Sequence, residues 1–371
     1  MQILPFDFMT WAKLHYFDSE LSLVPSGMPW PTSEDLQVPD IAPFEEVGCD
    51  GPQTLSEDVA RAYGVPLEGV LPCLGSTQAA HLLMTALLDP GDEVLVETPA
   101  YGVFACTAAL VGARCTQFVR RQEDGFALDP AAIEAAIGPR TKLVVFTTVH
   151  NPSGRLASAE TLHEIGEICQ RHGIWALASE VYLDFLERST IGPNGEAQQR
   201  RPAAAIHPRL FTSNSLTKVF GLGSVRLGWL IGDTAVMERC RTARETLAPV
   251  LPALPIAVGR EALRRRDHLL GRAHRVASVG RATLNTALAS AEGFEGPPPE
   301  VGIISFVRVE GIEDTMRFTD YLRAEHGVGA SPGEFFGLPG WLRVGYGIAE
   351  ETITEGWRRL GAGRTAWLQQ H

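Results

Sequence analysis

Lysine is scarce in this chain, and one lysine lies in surroundings that favour chemistry. Of the three lysines at positions 13, 142 and 218, Lys218 stands in the apolar, glycine-rich stretch SNSLTKVFGLGSVRLGWLIG, residues 213–232. A lysine among apolar side chains has a lowered pKa, and its neutral amine can form a Schiff base with a carbonyl group. Arg226, in the same stretch, has a planar guanidinium that could hold a phosphate through paired hydrogen bonds.

A second stretch, LGSTQAAHLL at residues 74–83, has the composition of a phosphate-binding turn. A predicted strand ends here, Gly75 turns the chain, and the hydroxyl residues Ser76 and Thr77 open a helix. The first N–H groups of a helix and its dipole both favour an anion at this end. The alternative is that Ser76 or Thr77 only caps the helix, and this stretch alone does not decide between the two.

Short apolar runs alternate with amphipathic segments and would position both stretches. Strands alternating with helices of this length predict an α/β fold: a mostly parallel seven-stranded sheet with helices on both faces. Two of the predicted helices cover Gln78–Leu88 and Ser158–His172. The predicted strands are Val70–Cys73, Glu93–Glu97, Cys115–Val119, Leu143–Thr147, Trp175–Ala178, Leu210–Ser213 and Gly228–Ile231.

The pattern changes in the last third of the chain. Residues 233–290 are mainly helical in character, a proline-rich loop follows, and Val301–Val309 reads as a strand. We therefore predict three parts, in which the arm packs with the smaller domain: an N-terminal arm at 1–45, a large cofactor-binding domain at 46–250 and a small α+β domain at 251–371.

Composition excludes several classes of function. The 371 residues suffice for two domains with a substantial core, and the net charge of −12 argues against nucleic acid or an anionic membrane as a partner. The N-terminus lacks the basic and apolar regions of a signal peptide, and no apolar segment reaches transmembrane length. The six cysteines form no C-x-x-C pair, so no metal site is expected. A cytoplasmic location is the resulting expectation.

Six short motifs together give the chain a specific resemblance to a known family. From about residue 21 to residue 360 it resembles fold-type I pyridoxal-phosphate enzymes of the class I/II aminotransferase family. Each motif is weak alone, but their order and separations together are those of that family. The motifs are GSTQA at 75–79, ETPAYGVF at 97–104, TTVHNPSG at 147–154, SEVY at 179–182, SLTKVFGLGSVRLG at 215–228 and WLRVGYG at 341–347.

The resemblance implies a role for the lysine and for the phosphate ligands. Lys218 matches the lysine that holds pyridoxal 5'-phosphate as a Schiff base and later moves protons between the substrate and the cofactor. Four residues match the phosphate donors, and Gly75 accompanies them in the turn. These donors are Ser76, Thr77, Ser215 and Arg226.

The resemblance also implies which residues hold the ring and the substrate. Tyr101 matches the aromatic residue that stacks on the pyridine ring, and Asn151 and Tyr182 match the donors to the phenolic oxygen of the cofactor. Arg343 matches the arginine that binds the substrate carboxylate, and Gly27 lies where the family brings backbone close to that carboxylate.

The resemblance breaks at Ser179, which takes the place of the aspartate that pairs with the pyridine nitrogen. That aspartate keeps the nitrogen protonated and makes the ring an electron sink, which a neutral hydroxyl does less well. Because side chains alternate along a strand, Glu180 should point away from the ring if Ser179 faces it. Serine here weakens the expectation of fast transamination and favours β-elimination, replacement or racemisation.

A second departure concerns the subunit interface. Family members often carry a tyrosine near residues 46–51 that reaches the phosphate in the neighbouring subunit, and the segment EVGCDG has none. The resemblance nevertheless implies a homodimer with shared active sites.

The sequence therefore predicts a pyridoxal-phosphate enzyme that acts on an α-amino acid, most simply an aminotransferase with a 2-oxo acid as the acceptor. Two alternatives stay open. One is a β-carbon–sulfur lyase or a related eliminating enzyme, and the other is a protein that holds the cofactor with little catalysis. Retention of both Lys218 and Arg343 argues against the last, because a mere binder needs no proton-transfer and carboxylate-binding set.

Overall fold

The computed structural model describes residues 2–37, 44–186, 190–191, 197–198 and 201–370. For residues 44–52, 190–191 and 197–198 it describes the backbone only. None of the helices in this part of the chain combines the length and the apolar character that crossing a bilayer would need.

The centre of the molecule is a seven-stranded sheet, as the sequence predicts. The strand Gly228–Ile231 runs antiparallel to both of its neighbours, and the other neighbouring pairs are parallel. The inner strands are almost entirely buried, which explains their continuous apolar runs. In spatial order the strands are Val70–Cys73, Gly228–Ile231, Leu210–Ser215, Trp175–Ser179, Thr141–Thr147, Glu93–Thr98 and Arg114–Val119.

Helices cover both faces of this sheet because its strands are apolar on both sides. On the strand Trp175–Ser179, Leu177 packs into the cluster that contains Met237, whereas Ala176 and Ala178 pack into the cluster that contains Ile165 on the other face. The helices that precede, connect or follow the sheet strands are Phe44–Tyr63, Ser76–Leu87, Val103–Leu110, Pro130–Ala136, Ala159–His172, Thr234–Leu247, Ala253–Arg264 and Arg266–Ser290.

A smaller antiparallel sheet follows in the C-terminal part of the chain. Its strands, in spatial order, are Phe294–Glu295, Ile304–Val309, Trp341–Gly345 and Ser331–Pro332, and the helices Thr315–His326 and Glu350–Gln370 accompany them. The predicted strand from Val301 begins three residues later, at Ile304, because Gly302 has a φ of +92°, a left-handed conformation that does not belong in a strand.

The N-terminal arm runs between the two sheets. After the helix Asp7–His15, Leu21–Ser22 pairs in parallel with Val328–Gly329. The N–H of Met28 then donates to the carbonyl of Lys218 at 2.8 Å. The N–H of Gly345, on the small sheet, donates to the carbonyl of Leu23 at 2.6 Å. The arm therefore touches both the small sheet and the loop at 216–227 that carries Lys218, which we call the lysine loop, while the boundaries at residues 45/46 and 250/251 remain predictions.

Candidate active site

The carboxyl ends of the parallel strands bring most of the predicted site residues to one edge of the large sheet. Ligands of open α/β sheets bind at this edge. The strands Thr141–Thr147, Trp175–Ser179 and Leu210–Ser215 lie side by side. The residues at these ends or shortly beyond them are Asn151, Ser179, Tyr182, Ser215 and Lys218.

One end of the site combines a helix N-terminus with a guanidinium. Gly75, at φ +86°, is the N-cap residue of the helix Ser76–Leu87, and no side chain of the described residues makes a capping hydrogen bond to this helix. Ser76 and Thr77 therefore belong to the first turn and are not caps. A β-carbon at Gly75 would lie 2.6 Å from Nη2 of Arg226, so the glycine leaves room for that guanidinium. Positive charge and N–H donors converge here, which suits a phosphate. We call this the phosphate end.

Arg226 reaches the phosphate end from the lysine loop, which begins directly after Ser215. Ser215 is buried at the end of its strand, and its hydroxyl accepts a hydrogen bond from the N–H of Thr217 at 3.3 Å. Arg226 adopts a left-handed conformation with φ +54°, and its Nη1 donates to the carbonyl of Gly223 at 3.1 Å. The loop therefore folds back and places the guanidinium of Arg226 beside Gly75.

Lys218 lies at the other end of the site, where its Nζ donates to the hydroxyl of Ser26 at 2.8 Å. Burial lowers the pKa of Lys218, the phenol of Tyr16 partly counteracts this, and the charges of Arg343 and Arg226 lower it further. A lowered pKa increases the share of neutral amine, which is the nucleophilic form.

Arg343 is fully buried on the strand Trp341–Gly345. Its Nη2 donates to the carbonyl of Val24 at 3.1 Å and to the hydroxyl of Ser331 at 3.2 Å, and its Nη1 donates to Oδ1 of Asn151 at 3.4 Å. Within the described residues its Nε has no hydrogen-bond partner, and the ionisable groups that act on it are tyrosine phenols rather than carboxylates. A buried guanidinium without a counter-ion is well suited to bind the carboxylate of a substrate.

Aromatic side chains enclose Arg343 and Tyr101. The centroids of the Phe8 and Phe336 rings lie 5.1 and 5.0 Å from the guanidinium carbon of Arg343. The edge of Tyr101 meets Phe8 at a centroid distance of 5.6 Å, and its hydroxyl donates to Sδ of Met9 at 3.3 Å. The arm helix Asp7–His15 therefore forms one wall of the site around Arg343.

Two further predicted residues hold the arm close to the site. Tyr182 donates to the carbonyl of Ser26 at 2.8 Å. A β-carbon at Gly27 would lie 3.3 Å from the carbonyl oxygen of Thr217, so glycine at this position lets the arm approach the lysine loop closely. We call the region where Lys218, Arg343 and residues 24–28 of the arm meet the amine end of the site.

Ser179 and Glu180 have separate surroundings. Ser179 is buried where its strand ends, opposite Thr147 and Ser213 of the neighbouring strands. The carboxylate of Glu180 accepts hydrogen bonds from the N–H of Ala203 at 2.8 Å and from the hydroxyl of Thr212 at 2.6 Å. Burial raises the pKa of Glu180 to about 7. Scaffold groups therefore hold the carboxylate of Glu180. The position of the family aspartate carries only the neutral hydroxyl of Ser179.

The sequence analysis missed two residues of the arm, Tyr16 and Ser26. Ser26 is adjacent to Gly27 in the stretch PSGMPWP at residues 25–31, so the expected role of Gly27 gave a partial signal, whereas nothing in the sequence around Tyr16 marked that residue. The side chains of residues 46–51, where a cross-subunit tyrosine was sought, lie outside the described residues.

The arrangement fits pyridoxal phosphate. The phosphate end has an uncapped helix N-terminus with space at Gly75 for the Arg226 guanidinium. The amine end has a partly buried lysine with a lowered pKa and, within the described part of the chain, an arginine without a carboxylate partner. A phosphate, an aldehyde and a substrate carboxylate therefore each have a matching group.

Comparison with known proteins agrees with this reading. The sequence profile of the family described as aminotransferase class I and II matches residues 46–360. An arginine–pyruvate transaminase of Pseudomonas aeruginosa is 29% identical over 333 residues, which cover 83% of this chain and 78% of that protein. Capreomycidine synthase of Streptomyces vinaceus is 28% identical over 358 residues, which cover 93% and 90%.

Solved structures share the fold. A pyridoxal-phosphate-dependent aminotransferase from Streptococcus suis superposes with a TM-score of 0.88 at 23% identity, covering 99% of both chains. An aspartate aminotransferase from Thermus thermophilus with maleate superposes with a TM-score of 0.83 at 21% identity, covering 98% of this chain and 97% of that one.

The chain belongs to the class I and II aminotransferase family. It is a pyridoxal-phosphate-dependent enzyme of the aminotransferase type, with the fold-type I architecture.

Proposed function

We propose that the protein transfers the amino group of an α-amino acid to a 2-oxo acid, with Lys218 as the residue that binds the cofactor and moves the proton. The observation that carries this proposal is the presence in one site of a partly buried lysine of lowered pKa and of the buried Arg343, which no carboxylate among the described residues neutralises. When bound, pyridoxal phosphate supplies an aldehyde that condenses with amines and a conjugated ring that takes up an electron pair from the neighbouring carbon.

The residues of this chain divide the remaining tasks. The first turn of the helix at Ser76 and Thr77, together with Ser215 and Arg226, binds the phosphate. Arg343 binds the α-carboxylate of the substrate and so orients its Cα toward the amine of Lys218. Fixed orientation of this kind lowers the entropic part of the barrier. The amine of Lys218 then takes the proton from Cα of the substrate and later returns it to the cofactor.

Three more residues would hold the cofactor ring. Tyr101 would pack against its face, Asn151 and Tyr182 would donate to its phenolic oxygen, and Gly27 would let the arm approach the carboxylate site. Ser179 would face the ring nitrogen as a neutral hydroxyl.

Ser179 supports β-elimination as a second candidate. A neutral partner leaves the ring nitrogen less protonated, so negative charge from Cα is less well delocalised. Elimination depends less on that delocalisation because the charge leaves with the β-substituent.

Product analysis separates the two candidates. The purified protein is given a panel of amino acids with pyruvate or 2-oxoglutarate, and the products are identified. Transamination gives a new amino acid and a 2-oxo acid in equal amounts, whereas elimination releases ammonia in an amount equal to the 2-oxo acid. A parent protein that forms only ammonia and 2-oxo acid would contradict the proposal of transamination. Ser179→Asp should raise transamination relative to elimination, and an unchanged ratio would show that Ser179 does not set the outcome.

We place this enzyme in the cytoplasm as a homodimer with shared sites. The dimer is supported by large apolar side chains that are exposed on the single chain, such as Leu247 at 57%, Val250 at 63% and Leu254 at 44%. Light scattering of the purified protein tests the dimer, and a monomer would contradict it. The division at residues 45/46 and 250/251 belongs to the same proposal.

A further inference from the structure

A cluster of two histidines and a glutamate lies at the edge of the large sheet opposite the candidate active site. His163 and Glu167 are on the helix Ala159–His172, and His207 stands three residues before the strand Leu210–Ser215. The carboxyl end of that strand belongs to the active site and lies about 20 Å further along. In the part of the chain that the structure describes, these residues form the one group of three potential metal ligands whose donor atoms all lie within 4.8 Å of one another.

The helix presents His163 and Glu167 on one face and leaves room for His207 beside them. Residues four apart on a helix are neighbours on its surface, so these two side chains lie side by side. Gly166 lies on the same face, and a β-carbon there would come within 2.2 Å of Cγ of His207. Glycine at this position therefore lets the buried imidazole of His207 lie against the helix.

The distances within the cluster are close to those of a metal site. Nε2 of His207 lies 3.2 Å from Oε1 of Glu167, and the ring centroids of His207 and His163 are 5.6 Å apart. Tetrahedral zinc, with bonds of about 2.0–2.1 Å to nitrogen and oxygen, separates its donor atoms by about 3.3 Å. His207 and Glu167 already have this separation, and a rotation of the exposed side chain of His163 would bring its ring nitrogen from within 4.8 Å to the same distance.

Hydrogen bonds fix the backbone and the ring of His207. Its N–H donates to the carbonyl of Ala203 at 3.2 Å, and its carbonyl accepts from the N–H of Leu210 at 3.0 Å. Nδ1 accepts from the N–H of Arg209 at 3.1 Å, so the neutral ring carries its proton on Nε2 and donates it to Glu167. A metal ion that binds Nε2 has to shift this proton to Nδ1 and break the hydrogen bond from Arg209. The affinity should therefore be micromolar rather than nanomolar.

We propose that His163, Glu167 and His207 bind one zinc ion, through a ring nitrogen of each histidine and a carboxylate oxygen. Imidazole suits zinc, copper and nickel, whereas magnesium and calcium prefer oxygen ligands alone. His163 and Glu167 are exposed enough to leave the fourth position of the ion to water. No metal site was expected from the cysteine pattern, and this one uses no cysteine. The ion would tie the helix Ala159–His172 to the segment before the strand Leu210–Ser215 and so stabilise the fold.

The test is a calorimetric titration of the untagged holoenzyme with zinc chloride, after a chelator has been applied and dialysed away. The cofactor of the holoenzyme occupies the active site during the titration. The parent should bind one zinc ion with a micromolar Kd, and magnesium chloride should give no binding at the same concentrations. His163→Ala and Glu167→Gln each remove one ligand from the helix surface. Each should weaken zinc binding at least about tenfold, since even the groups that orient metal ligands contribute that much.

His172→Ala is the matched control. It removes an exposed histidine from the same helix, and that histidine contacts Glu134 at 3.0 Å outside the cluster. This variant should bind zinc like the parent. Urea unfolding gives a second measurement, because an ion that binds only the folded state stabilises it. Zinc well above its Kd should raise the unfolding midpoint of the parent and of the control, but not that of His163→Ala or Glu167→Gln.

Four results would overturn the inference. The first is a parent that shows no saturable zinc binding up to millimolar concentrations, and the second is a variant at His163 or Glu167 that binds zinc as tightly as the parent. The third is an equal loss of affinity in His172→Ala, which would indicate general binding to surface histidines. The fourth is magnesium binding as tight as zinc binding. The proposed function is tested by its reaction products, so either proposal can fail without the other.

Discussion

The phosphate end and the amine end of the site are built in different ways. The phosphate end takes Gly75, Ser76 and Thr77 from one turn, and Ser215 and Arg226 from one loop beside it. At the amine end, Ser26, Lys218 and Arg343 are each separated by more than a hundred residues of sequence, and the arm brings them together.

The two ends also differ in their electrostatics. At the phosphate end, the uncapped start of the helix Ser76–Leu87 and the exposed Arg226 can both bind an anion. At the amine end the fully buried Arg343 lies with the partly buried Lys218, and desolvation lowers the pKa of each. Among the described residues, the ionisable groups that raise these two pKa values are tyrosine phenols. The phosphate end is therefore a preformed anion site, whereas the pKa values of the cationic residues at the amine end depend on the position of the arm.

The largest effect is expected at Arg343. Arg343→Ala should lower kcat/KM for an amino acid substrate by about a thousandfold, because loss of one partner of a buried charge pair costs about 2–5 kcal/mol. Arg343→Lys should recover only part of the loss, since the ammonium lacks the planar fork. Steady-state kinetics measures both, and a cofactor titration should show a Kd close to that of the parent. If Arg343→Ala left the KM of the amino acid unchanged and weakened cofactor binding instead, Arg343 would serve the cofactor, and the distinction between the two ends would be lost.

A smaller effect is expected at Arg226, and it should fall on the cofactor. Arg226→Ala should weaken pyridoxal phosphate binding by about 10- to 100-fold, the loss of charge-assisted hydrogen bonds of about 1.5–3 kcal/mol. Fluorescence titration of the cofactor-free protein measures this change, and Arg226→Lys serves as the charge-preserving control. If the cofactor affinity stayed unchanged and only the KM of the amino acid rose, the assignment of Arg226 to the phosphate end would be wrong.

The smallest effect on ligand affinity is expected at Glu180, which belongs to neither end. Glu180→Gln should change the cofactor Kd by less than about twofold, because the side chain is bound by Ala203 and Thr212 of the scaffold. A large loss of cofactor affinity would show that this carboxylate does serve the ring.

The same variant should alter how stability depends on pH. Burial raises the pKa of Glu180 to about 7 in the folded chain, so the folded state binds its proton more tightly than the unfolded state does. Its contribution is therefore fully present below the ordinary glutamate pKa and is lost as the pH rises through about 7. Relative to Glu180→Gln, the parent should lose up to about 3 kcal/mol of unfolding free energy across this window. Urea unfolding of both proteins measures it, and parallel pH profiles would contradict the account.

Sequence patterns predicted the large sheet well because most of its strands are buried apolar runs. Its strand Gly228–Ile231, for example, has the predicted bounds. The phosphate end was equally accessible, since its residues are neighbours in short motifs. The pairing of Tyr16 and Ser26 with Lys218 was not, because it depends on where the arm crosses between the sheets. The aromatic contacts of Phe8 and Phe336 with Arg343 escaped detection for the same reason, as no local pattern encodes them.

The most direct test of the account is the attachment site of the cofactor. The holoenzyme is reduced with borohydride, digested and mapped by mass spectrometry, with Lys218→Ala as the control. The account predicts one pyridoxyl-phosphate group on Lys218 and none in the control. A label on Lys13 or Lys142 instead, or an unlabelled protein, would contradict it.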